Sequence, residues 1–113
     1  MPGERVALLL SAVLMTGCGW TVLPRPQQLH VDVREEGFVP SRIEVRRGRR
    51  VVVTFTRRVD QTCATDVMFP RLHRGYDLPL NRPVRVELAA GEVGDSLRFT
   101  CSTGLLIGMI VER

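Results

Sequence analysis

The chain has no lysine, so all its basic charge rests on arginine, and it holds only two histidines, one tryptophan and one tyrosine. No apolar run approaches the ~20 residues that a membrane-spanning helix needs. No stretch carries a helical period, and there is no internal repeat or low-complexity tract. No His-Glu-x-x-His, no Gly-rich phosphate loop after a strand and no Ser-His-Asp arrangement with interpretable spacing is present. These absences argue against an enzyme. The four phenylalanines and Tyr76 are too dispersed to form a stacking platform for nucleic acid.

What is present is arginine, glycine and proline. The formal charge is +4, and removal of residues 1–17 takes away Glu4 and Arg5 together, which leaves it unchanged. The arginines are scattered along the expected strands and turns, often near an acid as in Arg34-Glu35-Glu36, which speaks against a phosphate track. The one dense patch, Arg46-Arg47-Gly48-Arg49-Arg50, reads as a solvated hairpin turn with a weak attraction for anionic lipid headgroups. Ten glycines and seven prolines suit short strands joined by turns.

The N-terminus reads as an export signal. Residues 1–5 are polar and carry Arg5, and residues 6–15 are mostly apolar. That length fits a signal core of about 7–15 residues. Met15-Thr16-Gly17-Cys18 then resembles a bacterial lipobox, although Met15 stands where Leu is preferred. Residues 1–17 are therefore expected to be removed and Cys18 to be lipidated. Residues 18–27, with Pro24 and Pro26, form a short stiffened tether. An ordinary cleaved signal with Cys18 as a spare thiol is the alternative. The lipid reading accounts for the odd count of three cysteines, leaving two for the fold.

From residue 28 to 113 the pattern is strand after strand. Leu29, Val31 and Val33 alternate with His30, Asp32 and Arg34, the period of a half-buried strand. Ile43 and Val45 alternate with charged neighbours. Gly37 and Pro40 read as a turn. Val51 to Thr56 is β-branched on both faces, which predicts a central strand. Val67-Met68-Phe69 is a short strand stopped by Pro70. Val84, Val86 and Leu88, then Leu97, Phe99 and Cys101, alternate again, and Met109 to Glu112 close the chain. The expected fold is one all-β domain, an antiparallel Greek-key sandwich or barrel.

Four segments carry a family resemblance. They are Phe38-Val39-Pro40 with Ile43-Glu44-Val45 and Gly48, then Phe55 through Pro70 with Thr62-Cys63-Ala64 and Phe69-Pro70, then Leu78 to Val84, then Phe99-Thr100-Cys101-Ser102-Thr103-Gly104-Leu105 with Gly108 to Val111. Together they resemble the EfeO-type cupredoxin-like domains, a branch of the blue-copper fold. The resemblance implies a cupredoxin sandwich and copper handling outside the cytoplasm. It places the ligands on Cys63 and Cys101, with methionines following the second cysteine. Here those methionine positions hold Thr103 and Leu105, and Asp66 stands where Glu is common.

Soft thiolates select Cu(I). Cys63 and Cys101 are thus the candidate metal ligands, with His73, Asp66 or Met68 as a possible third donor. Met68 and Met109 are otherwise expected as core fillers. A type 1 centre needs two histidines beside its cysteine. No His follows Cys101, and His30 and His73 read as surface residues. The competing expectation is a Cys63–Cys101 disulfide, stable in an oxidising compartment and contributing roughly 4 kcal/mol in the chain-entropy model. The first reading gives a monomeric envelope lipoprotein that exchanges copper with an envelope trafficking protein. The second gives a metal-free module that binds another envelope protein. The pair can also alternate between the two states.

Overall fold

A computed structural model of the chain describes residues 25–113. The signal, Cys18 and tether residues 18–24 lie outside the described residues. Nine strands follow in chain order: β1 (Gln27–Arg34), β2 (Gly37–Val39), β3 (Arg42–Val45), β4 (Val51–Arg57), β5 (Asp66–Phe69), β6 (Arg74–Asp77), β7 (Pro83–Leu88), β8 (Ser96–Thr100) and β9 (Ile107–Glu112). A single 3-10 turn, Pro70–Leu72, separates β5 from β6. It begins where Pro70 cannot donate to a ladder. Among the described residues no helix is long and apolar enough to cross a membrane.

The strands form two sheets, ordered β2-β1-β4-β7 and β3-β9-β8-β5-β6. Together they make the expected all-β sandwich. Its pairing is mixed rather than wholly antiparallel, because β1 runs parallel to β4 and β3 parallel to β9. The chain changes sheet between β2 and β3 and again between β3 and β4. β4 therefore returns to the first sheet from the same end as β1. β4 lies inside that sheet, as its two apolar faces predict. β1 starts at Gln27, one residue inside the stretch read as tether, where the Gln27 side chain bridges the backbone of Arg46.

Alternation decides what is buried. Val31 and Val33 of β1, Val51, Val53 and Phe55 of β4, and Leu97 and Phe99 of β8 all point into one core between the sheets. Its centre is aromatic. Phe99 packs edge-on against Phe38 and Phe55, at centroid distances of 5.0 and 5.3 Å. Phe69 meets the same cluster and passes it to Tyr76. Such contacts add about 0.5–1.5 kcal/mol each beyond burial. Gly108 makes room for the cluster, since a Cβ there would lie 2.2 Å from the Phe99 ring. Both Met68 and Met109 were expected in the core. They instead lie half-buried on the outer face of the five-stranded sheet, because their neighbours Val67, Phe69, Gly108 and Ile110 take the inward positions. The Met68 sulfur lies over Gly75, across the sheet.

Candidate functional site

One end of the sandwich gathers the loop between β4 and β5 and the turn between β8 and β9. Cys63 sits in the first and Cys101 opens the second. Their sulfurs approach to 3.1 Å, both as free thiols. This is well beyond a disulfide bond of about 2.05 Å. A linear two-coordinate ion with metal–sulfur lengths of about 2.3 Å needs roughly 4.6 Å. The pair stands between the two, about an ångström or more from either.

Different forces place the two sulfurs. Cys101 continues the inward parity of Leu97 and Phe99, so its thiol is buried at the top of the core. The turn after it closes on itself. The Gly104 amide donates to the Cys101 carbonyl at 2.9 Å, with Gly104 at φ +77°, a conformation that glycine adopts without strain. Leu106 folds back against Gly37 of β2. The Ser102 amide donates to the Asp66 carboxylate at 3.0 Å. Cys63, half-buried, is positioned from outside its own loop. The Arg57 guanidinium donates to the carbonyls of Leu78 (2.7 Å), Asp60 (3.2 Å) and Val59 (3.4 Å). It also pairs with the Asp60 carboxylate. Next to Cys63, Ala64 is fully buried and pins the loop to the core.

The thiols differ in acidity for the same reasons. Burial pushes Cys101 up, but hydrogen bonds from Thr103, Cys63 and the amides of Leu106 and Leu105 outweigh it, and its pKa falls from 9.0 to about 7. The Thr103 hydroxyl lies 3.0 Å from the Cys101 sulfur and the Leu106 amide 3.5 Å. Cys63 moves the other way, raised first by its hydrogen bond to Cys101 and then by burial. The opposite shifts favour an arrangement in which, once Cys101 ionises, the remaining proton stays on Cys63 and is donated to the Cys101 sulfur.

The proposed third donors do not converge on this pair. His73 caps the 3-10 turn in a left-handed conformation, past the far end of β5. β8, five residues at about 3.3 Å each, runs from that end to Cys101. The nine residues of sequence between Cys63 and His73 thus span about the length of a strand. Met68 lies on the sheet face opposite to Cys101. Asp66 is at the correct end, but its carboxylate is committed to the Ser102 amide and orients the turn. His30 is exposed on β1. Among the described residues no group of three or more His, Cys, Asp or Glu could hold a metal ion. The side chain that does reach Cys101 is Thr103, standing where the resemblance placed a methionine. Arg57 was missed. Its signal was an arginine on the inward parity of β4, after Val51, Val53 and Phe55.

Fold and site define a cupredoxin-like β-sandwich carrying a dithiol at one end. Solved structures share this architecture. The metal-binding domain of the Cu(I)-exporting P-type ATPase CopA of Streptococcus pneumoniae D39, solved with Cu(I), superposes with TM-score 0.70 at 17% identity, over 82% of this chain and 91% of its own. A copper binding protein in the apo form gives TM-score 0.70 at 20% identity, over 82% and 93%. Reduced auracyanin from Roseiflexus castenholzii gives 0.56 at 11% identity, over 80% and 99%. At these identities the likeness establishes the fold. No protein-family model and no curated protein sequence matches the chain.

Proposed function

We propose that this chain is an exported lipoprotein of the EfeO type, tethered through Cys18, whose domain binds Cu(I) on Cys63 and Cys101 and passes it to an envelope partner. The observation that carries the reading is the 3.1 Å approach of two thiols from loops 38 residues apart. Two thiolates form a soft donor set suited to Cu(I), and Cys101 is already poised to ionise near neutral pH. Two of the structural neighbours are, by name, copper-binding proteins. Copper here is cargo held by a monomeric carrier without catalysis. A site of two sulfurs and one hydroxyl neighbour suits transfer, since it offers an incoming ligand an open coordination position.

Anaerobic Cu(I) titration against a competing chelator tests this. Tight one-to-one binding that disappears in both Cys63→Ser and Cys101→Ser is expected. Binding no stronger than that of the double-serine variant would overturn it.

The same approach of sulfurs favours a second reading, a Cys63–Cys101 disulfide in a metal-free binding module. A thiol count on protein taken from an oxidising compartment separates the two. Two reactive thiols support the carrier; none supports the bridged module.

A further inference from the structure

The sandwich has two chemically different ends, and the arginine turn joining β3 to β4 lies at the end opposite the thiols. The register fixes this. Val45, the last residue of β3, pairs with Glu112 near the end of β9, whereas Cys101 sits beside the start of β9. Val51, after the turn, pairs with Gln27 at the start of β1. The Gln27 amide donates to the Arg50 carbonyl at 2.9 Å, and its side chain clasps Arg46. The chain therefore enters the domain through the arginine turn.

That end is positively charged. Arg47 is partly neutralised by Asp95 and Glu112, and Arg113 by Glu44. Arg25, Arg46 and Arg49 are exposed and form no ion pair among the described residues. At the thiol end, acids such as Glu35, Glu36 and Asp60 balance the arginines.

We propose that the Arg25, Arg46 and Arg49 surface docks on anionic lipid headgroups, holding the domain upright with its dithiol turned away from the bilayer. Arg25 is the seventh residue after Cys18, a reach of at most about 25 Å. A lipid on Cys18 would keep this face, rather than the thiols, next to the membrane. The orientation rests on the anchor proposed above. Binding to an anionic surface does not, because each arginine near such a surface adds about fivefold in affinity with no lipid attached.

The test uses the chain from residue 18 with Cys18→Ser. The described core draws on residues 29–110 and stays whole. Co-sedimentation is measured with vesicles of phosphatidylcholine alone and with added phosphatidylglycerol. Binding only to the anionic vesicles is expected, weakening as salt rises. Arg46→Gln with Arg49→Gln should weaken it about 10- to 30-fold, while Arg42→Gln with Arg82→Gln at the thiol end should change it less than about twofold. Labelling of Cys63 by a bulky maleimide should be unaffected by the vesicles. Equal binding to both vesicle types, equal loss in the two arginine pairs, or vesicle protection of Cys63 would each overturn the proposal. The anchor is read separately, from the mass of the full-length product extracted from membranes. An unlipidated Cys18 there would remove the tether and leave the surface binding to stand or fall by itself.

Discussion

The two loops that meet at the thiol pair are built on opposite plans. The turn of residues 101–106 is held largely by its own backbone, by the Thr103 hydroxyl and by Asp66. The loop of residues 58–65 is held by an arginine at the end of β4 that also binds the Leu78 carbonyl. One sulfur is placed locally and the other through a hub. A local turn tolerates loss of one contact, but a hub does not, because several carbonyls lose their partner together.

The difference can be broken at its strongest point first. Arg57→Met leaves the Leu78, Asp60 and Val59 carbonyls without their donor. It should cost about 2–4 kcal/mol, read by urea unfolding. It should also weaken Cu(I) binding while leaving Cys101 in place. An unchanged unfolding midpoint would show that the loop holds itself.

Asp66→Ala frees only the Ser102 amide, which is exposed. About 1 kcal/mol or less is expected in the same assay.

The thiols sharpen the contrast through pH. In the metal-free protein, thiolate absorbance should rise in two steps. The first, centred near pH 7, reflects mainly Cys101, and the second, above the ordinary thiol range, mainly Cys63, raised by its hydrogen bond to Cys101 and by burial. Cys101→Ser removes the first step. Thr103→Val takes away a hydrogen bond to the thiolate and should move that step upward. For stability the signs oppose. The lowered Cys101 favours the fold increasingly as pH rises above about 7, and this contribution is lost as pH falls through it. The raised Cys63 favours the fold below its unfolded pKa and loses that contribution as pH climbs further. A single absorbance step at the ordinary thiol pKa would mean that the sulfurs do not share a proton.

The smallest effect belongs to the far end. Glu44→Gln removes an exposed partner of Arg113 and should shift stability by less than about 0.5 kcal/mol.

Alternation along the sequence carries most of this fold. β1, β3, β4, β7 and β8 each show inward valines, leucines, isoleucines or phenylalanines at every second position, whereas β9 shows itself only as a short apolar run. β2 and β6 escaped for physical reasons. Gly37-Phe38-Val39 is three residues between turn formers, and Arg74-Gly75-Tyr76-Asp77 offers one large apolar side chain. Each lies at a sheet edge, where burial leaves the weakest pattern. The parallel pairs were hidden because pairing between β1 and β4, or β3 and β9, depends on which sheet each strand joins. At the site, the sequence named Cys63 and Cys101 but could not bring their sulfurs together. His73 seemed near Cys63 because sequence distance ignores a strand's length. The outward position of Met68 was readable from its neighbours Val67 and Phe69. So was the inward position of Arg57, had a charge on that parity been taken as a hub.

The close approach of Gly108 to Phe99 bears on how such a chain can diverge. Any side chain at position 108 evicts the ring, and that ring lies on β8 two residues before Cys101, which opens the turn after the strand. A change at 108 thus reaches the dithiol through the core without touching it. Relatives that enlarge this glycine are expected to shrink the phenylalanine with it, so the two positions should vary as a pair or not at all.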